Sequence, residues 1–195
     1  MHTGSLNTNR ITIRGMGSRS PYSTNKIKSY INNIPLSNGV GETTIEDLGI
    51  NLFNQIEIIK GPNSSIYGAG LGGGILLNLE KSKEHSLSYS SFFGSYNTTK
   101  NEINLYKKIN KVDFQINFQN LSSDGYRDNN NYIRNNAFGY LGYKLNDKIK
   151  LDFIYNFINL DSEIPSSLNI DDFNLNPSKA AENWKNVNGN ENYKK

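Results

Sequence analysis

The sequence predicts a small α+β unit over residues 1–80, followed over residues 81–195 by an antiparallel meander with the layout of a transmembrane β-barrel. Two observations support this fold class. Short apolar runs broken by glycine and proline fill the first part, whereas long runs of alternating polarity fill the second. In the second part, the connections between strands also alternate between tight turns and long polar loops, which is the layout of an outer-membrane barrel.

The composition narrows the classes of function. Hydrophobic residues make up only 35% of the chain, and the mean hydropathy is −0.62, so we do not expect a large dry core. The 12 tyrosines and 9 phenylalanines suit β-structure with one wet face. A net charge of +3, spread thinly, gives nucleic-acid binding little support. The absence of cysteine excludes disulfides and thiolate chemistry.

The first elements of the chain are short. Residues 10–14 alternate as a half-buried strand does, and residues 27–34 form the next strand, which Pro35 closes. Thr43 then offers a helix cap, with acidic residues in the first turn that follows it. We expect this helix to be short, ending near Gly49 or continuing weakly to Phe53.

The centre of the first unit is the strand over residues 55–60. Its β-branched residues favour a strand, and the pair Gly61-Pro62 ends it because Pro62 has no N–H to donate. A glycine-rich stretch over residues 68–74 follows, before a second strand over residues 75–79. Glycines of this density let two backbones approach closely, so we interpret them as structural.

Strict alternation marks the second unit. Residues 112–119 alternate strictly between apolar and polar side chains, so this strand has one apolar and one polar face. The apolar side chains of Ile149, Leu151, Phe153, Tyr155 and Phe157 likewise lie opposite Lys150, Asp152 and Asn156. We expect the apolar face to contact lipid and the polar face to line the lumen, although a soluble meander would show the same alternation. The residues expected to face lipid are Val112, Phe114, Ile116, Phe118, Leu151, Phe153 and Tyr155, and those expected to face the lumen are Asp113, Gln115, Asn117, Asp152 and Asn156.

The connections of the second unit fall into two lengths. Asn110-Lys111 and Asn146-Asp147 are predicted as tight hairpin turns. Residues 122–131 and everything after Leu160 are predicted as long loops, because they are polar and rich in Asn and Asp. These lengths leave room for about five strands and their extracellular loops.

Four separated motifs follow one another in a familiar order. They are Arg14-Gly15, the stretch over residues 30–36, the stretch over residues 55–62, and Ile66-Tyr67-Gly68 with its glycine run. This order resembles the plug domain of the TonB-dependent receptors of Gram-negative outer membranes, with the remainder of the chain similar to the start of their barrel. Asn32-Asn33 stands where the family usually has Asp-Gly, and the turn survives because Asn tolerates positive φ.

The resemblance implies a function. The chain is expected to be a fragment of an outer-membrane receptor that imports a scarce nutrient, a ferric siderophore first and cobalamin second. The whole receptor would be a barrel of about 22 strands that encloses the plug. The implied partners are the TonB energy-transducing complex, outer-membrane lipid and a small-molecule metal chelate. The resemblance implies no enzyme activity, no nucleic-acid partner and no resident cofactor.

The resemblance also suggests which residues take part. Arg14 suits an anionic chelate, because its guanidinium is permanently charged and offers a forked set of donors. In the family, a basic residue before the Gly-Pro pair locks the plug to the barrel wall, and Lys60 holds that position here. The expected ligand-binding residues are Arg14, Ser37, Asn38, Thr43, Tyr126 and Arg127, and the expected structural or locking residues are Glu57, Lys60, Gly61, Pro62, Gly68, Gly72 and Gly73.

Other sites have weaker support. Residues 68–73 fit the dinucleotide pattern G-x-G-x-x-G, but that site needs a strand before and a helix after, and here a strand follows. His2 and His85 are isolated, so we predict no catalytic residues and no metal site. Calcium binding by Asp128 lacks the repeated oxygen spacing of a calcium loop.

Two further interpretations remain open at this stage. As alternatives to the receptor fragment, they are a free-standing soluble β-rich binding module and a non-functional gene remnant. Residues 1–5 lack the features of a signal peptide, so the sequence is interpreted as an internal piece of a longer chain. Because an open sheet leaves backbone groups unpaired, we expect the chain expressed alone to aggregate or to need detergent.

Overall fold

The structure is a computed structural model that describes residues 11–18, 24–37, 41, 43, 45, 48–61, 64–68, 70–79, 85–186 and 189–194. It contains two compact units, Met1–Ser82 and Lys83–Lys195, each with its own sheet. None of the helices in the described ranges is long and apolar enough to cross a membrane.

The first unit contains a four-stranded mixed sheet in the order β2-β1-β4-β3. Strand β1 runs parallel to β4 and antiparallel to β2, and β3 is antiparallel to β4. The short helix α1 and one 3₁₀ turn complete the unit. The bounds are β1 Ile27–Ile31, β2 Ile34–Pro35, the 3₁₀ turn Ile50–Leu52, β3 Gln55–Lys60, α1 Ser64–Tyr67 and β4 Gly73–Asn78.

The core of the first unit is apolar and lies along β1 and β4. Alternate residues of β1 are buried, and Ile27 is 0% exposed. Ile75 and Leu77 on β4 are buried as well, and Leu77 pairs in register with Ile31. Burying one fully enclosed aliphatic side chain contributes about 1.5–3 kcal/mol, so these few residues stabilise a small sheet.

Two glycines of the run allow β4 to approach its neighbours. Gly73 has a φ of 125°, and a Cβ there would collide with the carbonyl oxygen of Ile59. A Cβ on Gly72 would lie 2.9 Å from Cγ1 of Ile27, which is closer than real side chains come. The structural interpretation of these glycines therefore agrees with the geometry, and the run precedes a strand rather than a helix.

The first unit departs from the sequence predictions at three places. The strand predicted over residues 27–34 ends at Ile31, and after a turn Ile34 and Pro35 form the separate strand β2, so Pro35 does not close β1. Of the strand predicted over residues 10–14, the described residues 11–14 are not in a strand, and residues 13–16 form a turn closed by an isolated bridge between Ile13 and Met16. The helix expected to begin at Thr43 is absent from the described residues, which have only the 3₁₀ turn Ile50–Leu52 nearby. Thr43 instead packs beside the start of β1. Its backbone N–H donates to the carbonyl of Thr24, which precedes the strand, and its hydroxyl donates to the carbonyl of Ile27.

The turn after β1 agrees with the prediction made for its two asparagines. Asn32 has a φ of 52°, a conformation that Asn adopts more readily than most residues. Its side-chain oxygen also accepts a hydrogen bond from the backbone N–H of Leu79, at 3.1 Å. Asn32 therefore supplies both the turn conformation and a hydrogen bond that holds the segment after β4 to this turn.

The second unit is a six-stranded antiparallel meander in the order β10-β9-β8-β7-β6-β5. Its hairpins have tight turns at Asn110-Lys111 and around Asn146, as predicted. Long connections lie at the opposite ends of the strands. The bounds are β5 His85–Phe93, β6 Thr99–Ile109, β7 Val112–Ser123, β8 Tyr132–Lys144, β9 Lys150–Glu163 and β10 Asn190–Lys194.

The chain after Leu160 is more ordered than the predicted long loop. Strand β9 continues to Glu163, two short helices follow, and β10 then returns to pair with β9. The helices are α2 Ile170–Leu175 and α3 Glu182–Asn186. The strand β10 makes the sheet one strand larger than the five expected, because composition alone suggested a loop where backbone pairing forms a strand.

The two faces of the sheet have opposite polarity. Gln115 and Asn117 are 0% exposed and donate to Asn104 and Glu102, respectively, at 2.9 and 3.0 Å. On the other face Phe118 is 55% exposed and Phe153 is 63% exposed. The predicted alternation therefore holds, with buried amides on one face and exposed aromatic side chains on the other.

Candidate functional site

Two connections at the long-loop end of the sheet form the most structured surface outside the strands. The first is residues 124–131, between β7 and β8, which we call the first loop. The second is residues 164–189, between β9 and β10, which we call the return segment. Because β8 and β9 are neighbours in the sheet, these two connections leave it side by side.

Arg127 fastens the first loop to the return segment. Its guanidinium donates four hydrogen bonds to backbone carbonyls: Nε and Nη2 to Lys179 at 3.0 and 2.8 Å, Nη1 to Ser166 at 2.5 Å, and Nη2 to Pro165 at 3.4 Å. Burial of the cation among neutral carbonyls lowers the pKa of Arg127 from its ordinary value. Arginine stays protonated in proteins, so the contact persists at every physiological pH.

Further hydrogen bonds secure the same two connections. The side-chain amide of Asn129 donates to the carbonyls of Ile164 and Gly189, at 2.9 and 3.0 Å. Asp128 donates its backbone N–H to Ser178 at 2.8 Å. These bonds hold the first loop at three points along the return segment, so the surface between them has a fixed shape.

A hollow of about 520 Å³ lies between the first loop and helix α2. Asn169 caps this helix, since its side-chain oxygen accepts the backbone N–H of Asp172 at 2.8 Å. Tyr126, Ile170 and Phe173 are all at least half exposed, so their apolar surfaces are available to a ligand. The lining residues are Tyr126, Arg127, Leu168, Asn169, Ile170, Phe173 and Pro177.

The nearest lysine of the return segment is already paired. Nζ of Lys179 lies 3.1 Å from a carboxylate oxygen of Asp172 and 3.1 Å from one of Glu182. The hydrogen bond that Lys179 donates to Asp172, followed by the one that it donates to Glu182, raises the pKa of Lys179. This lysine does not line the hollow, and its charge is balanced by two carboxylates.

The structure gives the predicted ligand residues different surroundings. Tyr126 lines the hollow, whereas the guanidinium of Arg127 is engaged by backbone carbonyls. Arg14 is exposed on the turn of residues 13–16, with a φ of 49°. Ser37 is exposed after β2, and Thr43 is buried with its hydroxyl donated to Ile27 at 2.7 Å. Asn38 lies outside the described residues.

The predicted structural and locking residues lie around β3 and the glycine run. Glu57 and Lys60 are exposed on β3, and within the described part of the chain neither forms an ion pair. Gly61 has a φ of 97° and donates its N–H to Gly72 at 3.3 Å. Gly68 has a φ of 66°, next to the hydrogen bond from the Tyr30 hydroxyl to the carbonyl of Tyr67. Pro62 lies outside the described residues.

Sequence reasoning missed the contribution of helix α2. Ile170 and Phe173 were assigned to a polar loop, and both line the hollow. The sequence did contain a signal for this helix. Asn169 has the residue type of a helix cap, Asp172 stands three residues after it, and the apolar Ile170 and Phe173 have helical spacing. The described residues contain no group of three or more His, Cys, Asp or Glu side chains able to hold a metal ion.

A protein-family model matches the first part of the chain. Residues 1–75 match the family described as "TonB-dependent Receptor Plug Domain". The matched range contains the four motifs and the four-stranded sheet up to β4. The resemblance stated from the sequence is therefore confirmed.

Solved structures share the fold of both units. The unliganded ferric citrate transporter FecA has a TM-score of 0.69 at 14% identity and covers 91% of this chain and 28% of its own. The copper transporter OprC has a TM-score of 0.65 at 14% identity, with 83% and 26% covered. The pyoverdine-bound outer membrane receptor FpvA from Pseudomonas aeruginosa PAO1 has 0.54 at 18% identity, with 69% and 21% covered. The chain thus spans about a quarter of the length of these structures.

Proposed function

From the premise that this chain carries a TonB-dependent receptor plug domain followed by antiparallel barrel strands, we propose that it is part of an outer-membrane receptor importing a scarce nutrient. The cargo is a small metal chelate, with a ferric siderophore as the first candidate and cobalamin as the second. The energy comes from the TonB complex, which pulls on the plug from the periplasm. The protein is placed in the outer membrane of a Gram-negative bacterium.

The polarity of the six-stranded sheet supports the membrane location. Its exposed face carries Phe118, Phe153 and Tyr155, whereas its buried face carries hydrogen-bonded amides. A sheet in water buries its apolar face and exposes its polar face, because an aromatic side chain left in water does not gain the free energy of hydrophobic burial. Hydrocarbon is the environment that suits such an outer face, and a polar inner face suits a lumen.

Gating is the physical basis of the proposed transport. A plug that fills a barrel lumen blocks passage until plug and wall contacts rearrange. Polar, hydrated contacts rearrange at modest cost because water replaces the partners that they lose. Lys60, exposed at the end of β3, is suited to such a contact, since an ammonium is a compact point charge that forms and breaks single hydrogen bonds.

Cargo recognition is assigned to the exposed residues among those predicted. Arg14, Ser37 and Tyr126 present their side chains to solvent. Thr43 and Arg127 instead support the surface from within, because each donates to backbone carbonyls. We therefore place Arg14 and Tyr126 in contact with cargo and assign Arg127 to holding the loops.

The observation that carries this proposal is the match of residues 1–75 to the plug-domain family. The soluble module and the gene remnant have no comparable support from the comparisons. A soluble module does not explain why large hydrophobic side chains, aromatic and aliphatic, are exposed on one face of the sheet.

An uptake assay tests the proposal. The gene in its natural length would be expressed in Gram-negative cells that lack their own iron and cobalamin receptors. Uptake of radiolabelled ferric chelates and of cobalamin would be measured with and without TonB. We expect uptake of one cargo in TonB-containing cells and none without TonB. Equal uptake in both strains, or none for any cargo tested, would contradict the proposed function.

A further inference from the structure

The charges of the second unit are divided unevenly between its two ends. The two tight hairpins, residues 107–113 and 143–152, contain six lysines and three aspartates, a net charge of +3. The connections at the opposite end, residues 122–131 and 161–186, contain three basic and seven acidic residues, a net charge of −4. An even distribution would leave both ends nearly neutral, so the tight-turn end is the one suited to an anionic partner.

The three aspartates of these hairpins are paired with only two of the lysines. Nζ of Lys144 lies 2.8 Å from a carboxylate oxygen of Asp147. Nζ of Lys150 lies 3.9 Å from one of Asp113 and 3.6 Å from one of Asp152. Within the described part of the chain, the other four lysines of the hairpins form no ion pair, and they are Lys107, Lys108, Lys111 and Lys148.

Lys107 lies on the outward face of the sheet, where its neighbours are apolar. It is exposed and pairs in register with Phe114, and Leu105 and Ile109 stand on either side of it on the same face of β6. An ammonium in hydrocarbon loses its hydration, and this cost falls almost to zero near the lipid headgroups. The long aliphatic stem of a lysine covers apolar surface while the ammonium reaches those headgroups. Lys107 therefore marks the level at which the outward face meets the headgroups at the tight-turn end.

Two more of these lysines lie in the tight turns, just beyond the apolar rows of the outward face. Lys111 is in the turn between β6 and β7, Lys148 is in the turn between β8 and β9, and both are exposed. The two turns are joined, because the backbone N–H of Lys144 donates to the carbonyl of Lys111 at 2.8 Å and Nζ of Lys111 donates to the carbonyl of Leu145 at 3.3 Å. The last apolar row before the turns is Val112, Tyr143 and Leu151.

From this charge and this position we infer that Lys107, Lys111 and Lys148, which we call the lysine rim, bind the phosphate groups of anionic phospholipids. The inference rests on the proposed outer-membrane location, in which tight turns face the periplasm, so the lipids are those of the periplasmic leaflet. Each lysine near an anionic membrane surface strengthens binding by about fivefold. Lys108 is outside the rim, because it pairs in register with Asp113 and belongs to the opposite face.

The test uses two lipids with the same acyl chains, the anionic dioleoylphosphatidylglycerol and the zwitterionic dioleoylphosphatidylcholine. The receptor in its natural length would be purified in an uncharged detergent, and its affinity for each lipid measured by native mass spectrometry. We expect phosphatidylglycerol to bind at least about fivefold more tightly. The preference should shrink between 0.1 M and 1 M ammonium acetate, because the screening length falls from about 10 Å to about 3 Å.

Four variants locate the binding. Lys107→Gln should weaken phosphatidylglycerol binding by up to about fivefold and leave phosphatidylcholine binding unchanged. Combining it with Lys111→Gln and Lys148→Gln should weaken phosphatidylglycerol binding further. Lys107→Arg keeps the charge and should bind as the natural protein does. Lys185→Gln is the matched control, because it removes one positive charge from α3 at the opposite end, where Lys185 pairs with Asp128 at 3.4 Å.

Each outcome bears on the inference. Equal binding of the two lipids, or an unchanged preference in the combined variant, would overturn it. An equal loss in Lys185→Gln would overturn it as well, because net charge rather than position would then set the preference. Binding to purified peptidoglycan that the combined variant loses, without any lipid preference, would assign the lysine rim to the cell wall instead.

The same measurements separate this inference from the proposed function. If TonB-dependent uptake is observed while the receptor does not prefer the anionic lipid, the lysine rim is wrong and the transport function stands. If the combined variant loses a preference that the natural receptor has, while uptake is absent, the lysine rim stands and the transport function is wrong.

Discussion

In the sheet of the first unit, Ile27 and Leu77 are buried, whereas in the six-stranded sheet the buried positions include Gln115 and Asn117. Both sheets alternate along their strands, so periodicity does not distinguish them. What differs is the side that faces outward, which is the apolar side in the second unit. Alternation therefore shows which residues share a face of a sheet, whereas the exposure of those residues indicates whether that face is suited to water or to lipid.

The contrast predicts that the largest loss of stability comes from shortening a buried side chain in the first unit. Ile27→Ala should destabilise the four-stranded sheet by about 2–5 kcal/mol, because Ile27 is fully buried and its removal leaves a cavity. Amide hydrogen exchange of β1 and β4 would measure this loss. Ile58→Ala is the matched control, since Ile58 is 54% exposed on β3 and should change stability by less than about 0.5 kcal/mol. Similar effects of both variants would remove the basis for an apolar core.

A charge on the outward face tests the second half of the comparison. Phe153→Arg should destabilise the protein in a bilayer by up to about 2–4 kcal/mol, because an arginine that faces lipid loses its hydration. Urea unfolding from lipid vesicles would measure the change. Leu175→Arg, on α2, should have almost no effect, because Leu175 is 87% exposed outside the strands. If Phe153→Arg is as harmless as Leu175→Arg, the outward face is not in contact with lipid.

The smallest effect is expected at a tight turn of the second unit, where neither face is involved. A carboxylate oxygen of Asp147 lies 2.8 Å from Nζ of Lys144, and this hydrogen bond and charge lower the pKa of Asp147. The pair therefore contributes stability above the ordinary pKa of an aspartate, and this contribution is lost as the pH falls through the lowered value.

NMR titration of the Asp147 carboxyl group would measure that pKa. In Lys144→Met the pKa should return toward its ordinary value, whereas Lys148→Met should leave it lowered, because the salt bridge of Asp147 is with Lys144. An unchanged pKa in Lys144→Met would show that the pair does not persist in solution. The effect is small because Asp147 is fully exposed and the charges are screened by solvent.

The sequence predicted the strands of the second unit well because their signal is local. Residues 112–119 alternate without a break, and the turn at Asn110-Lys111 has the chemistry of a tight hairpin. Strand β3 was also predicted at its observed bounds, since a β-branched run ending at Gly61-Pro62 needs no distant partner.

The candidate site was less predictable because its contacts are distant in sequence. Arg127 bonds to carbonyls 38–52 residues away, and such oxygens belong to every residue and leave no mark in the sequence. Thr43 was expected to cap a helix, but a buried bond to Ile27 outweighed that local preference. In both cases tertiary hydrogen bonding decided a role that residue type alone left open.

The Arg127 clamp has a consequence for how this region tolerates sequence change. Because the guanidinium binds main-chain oxygens, it places no demand on the side chains at positions 165, 166 and 179. Substitutions across the return segment, including those that reshape the hollow, leave the anchoring intact as long as the backbone path is kept. Such an arrangement lets the side chains around the hollow change by single steps, without a compensating change at Arg127.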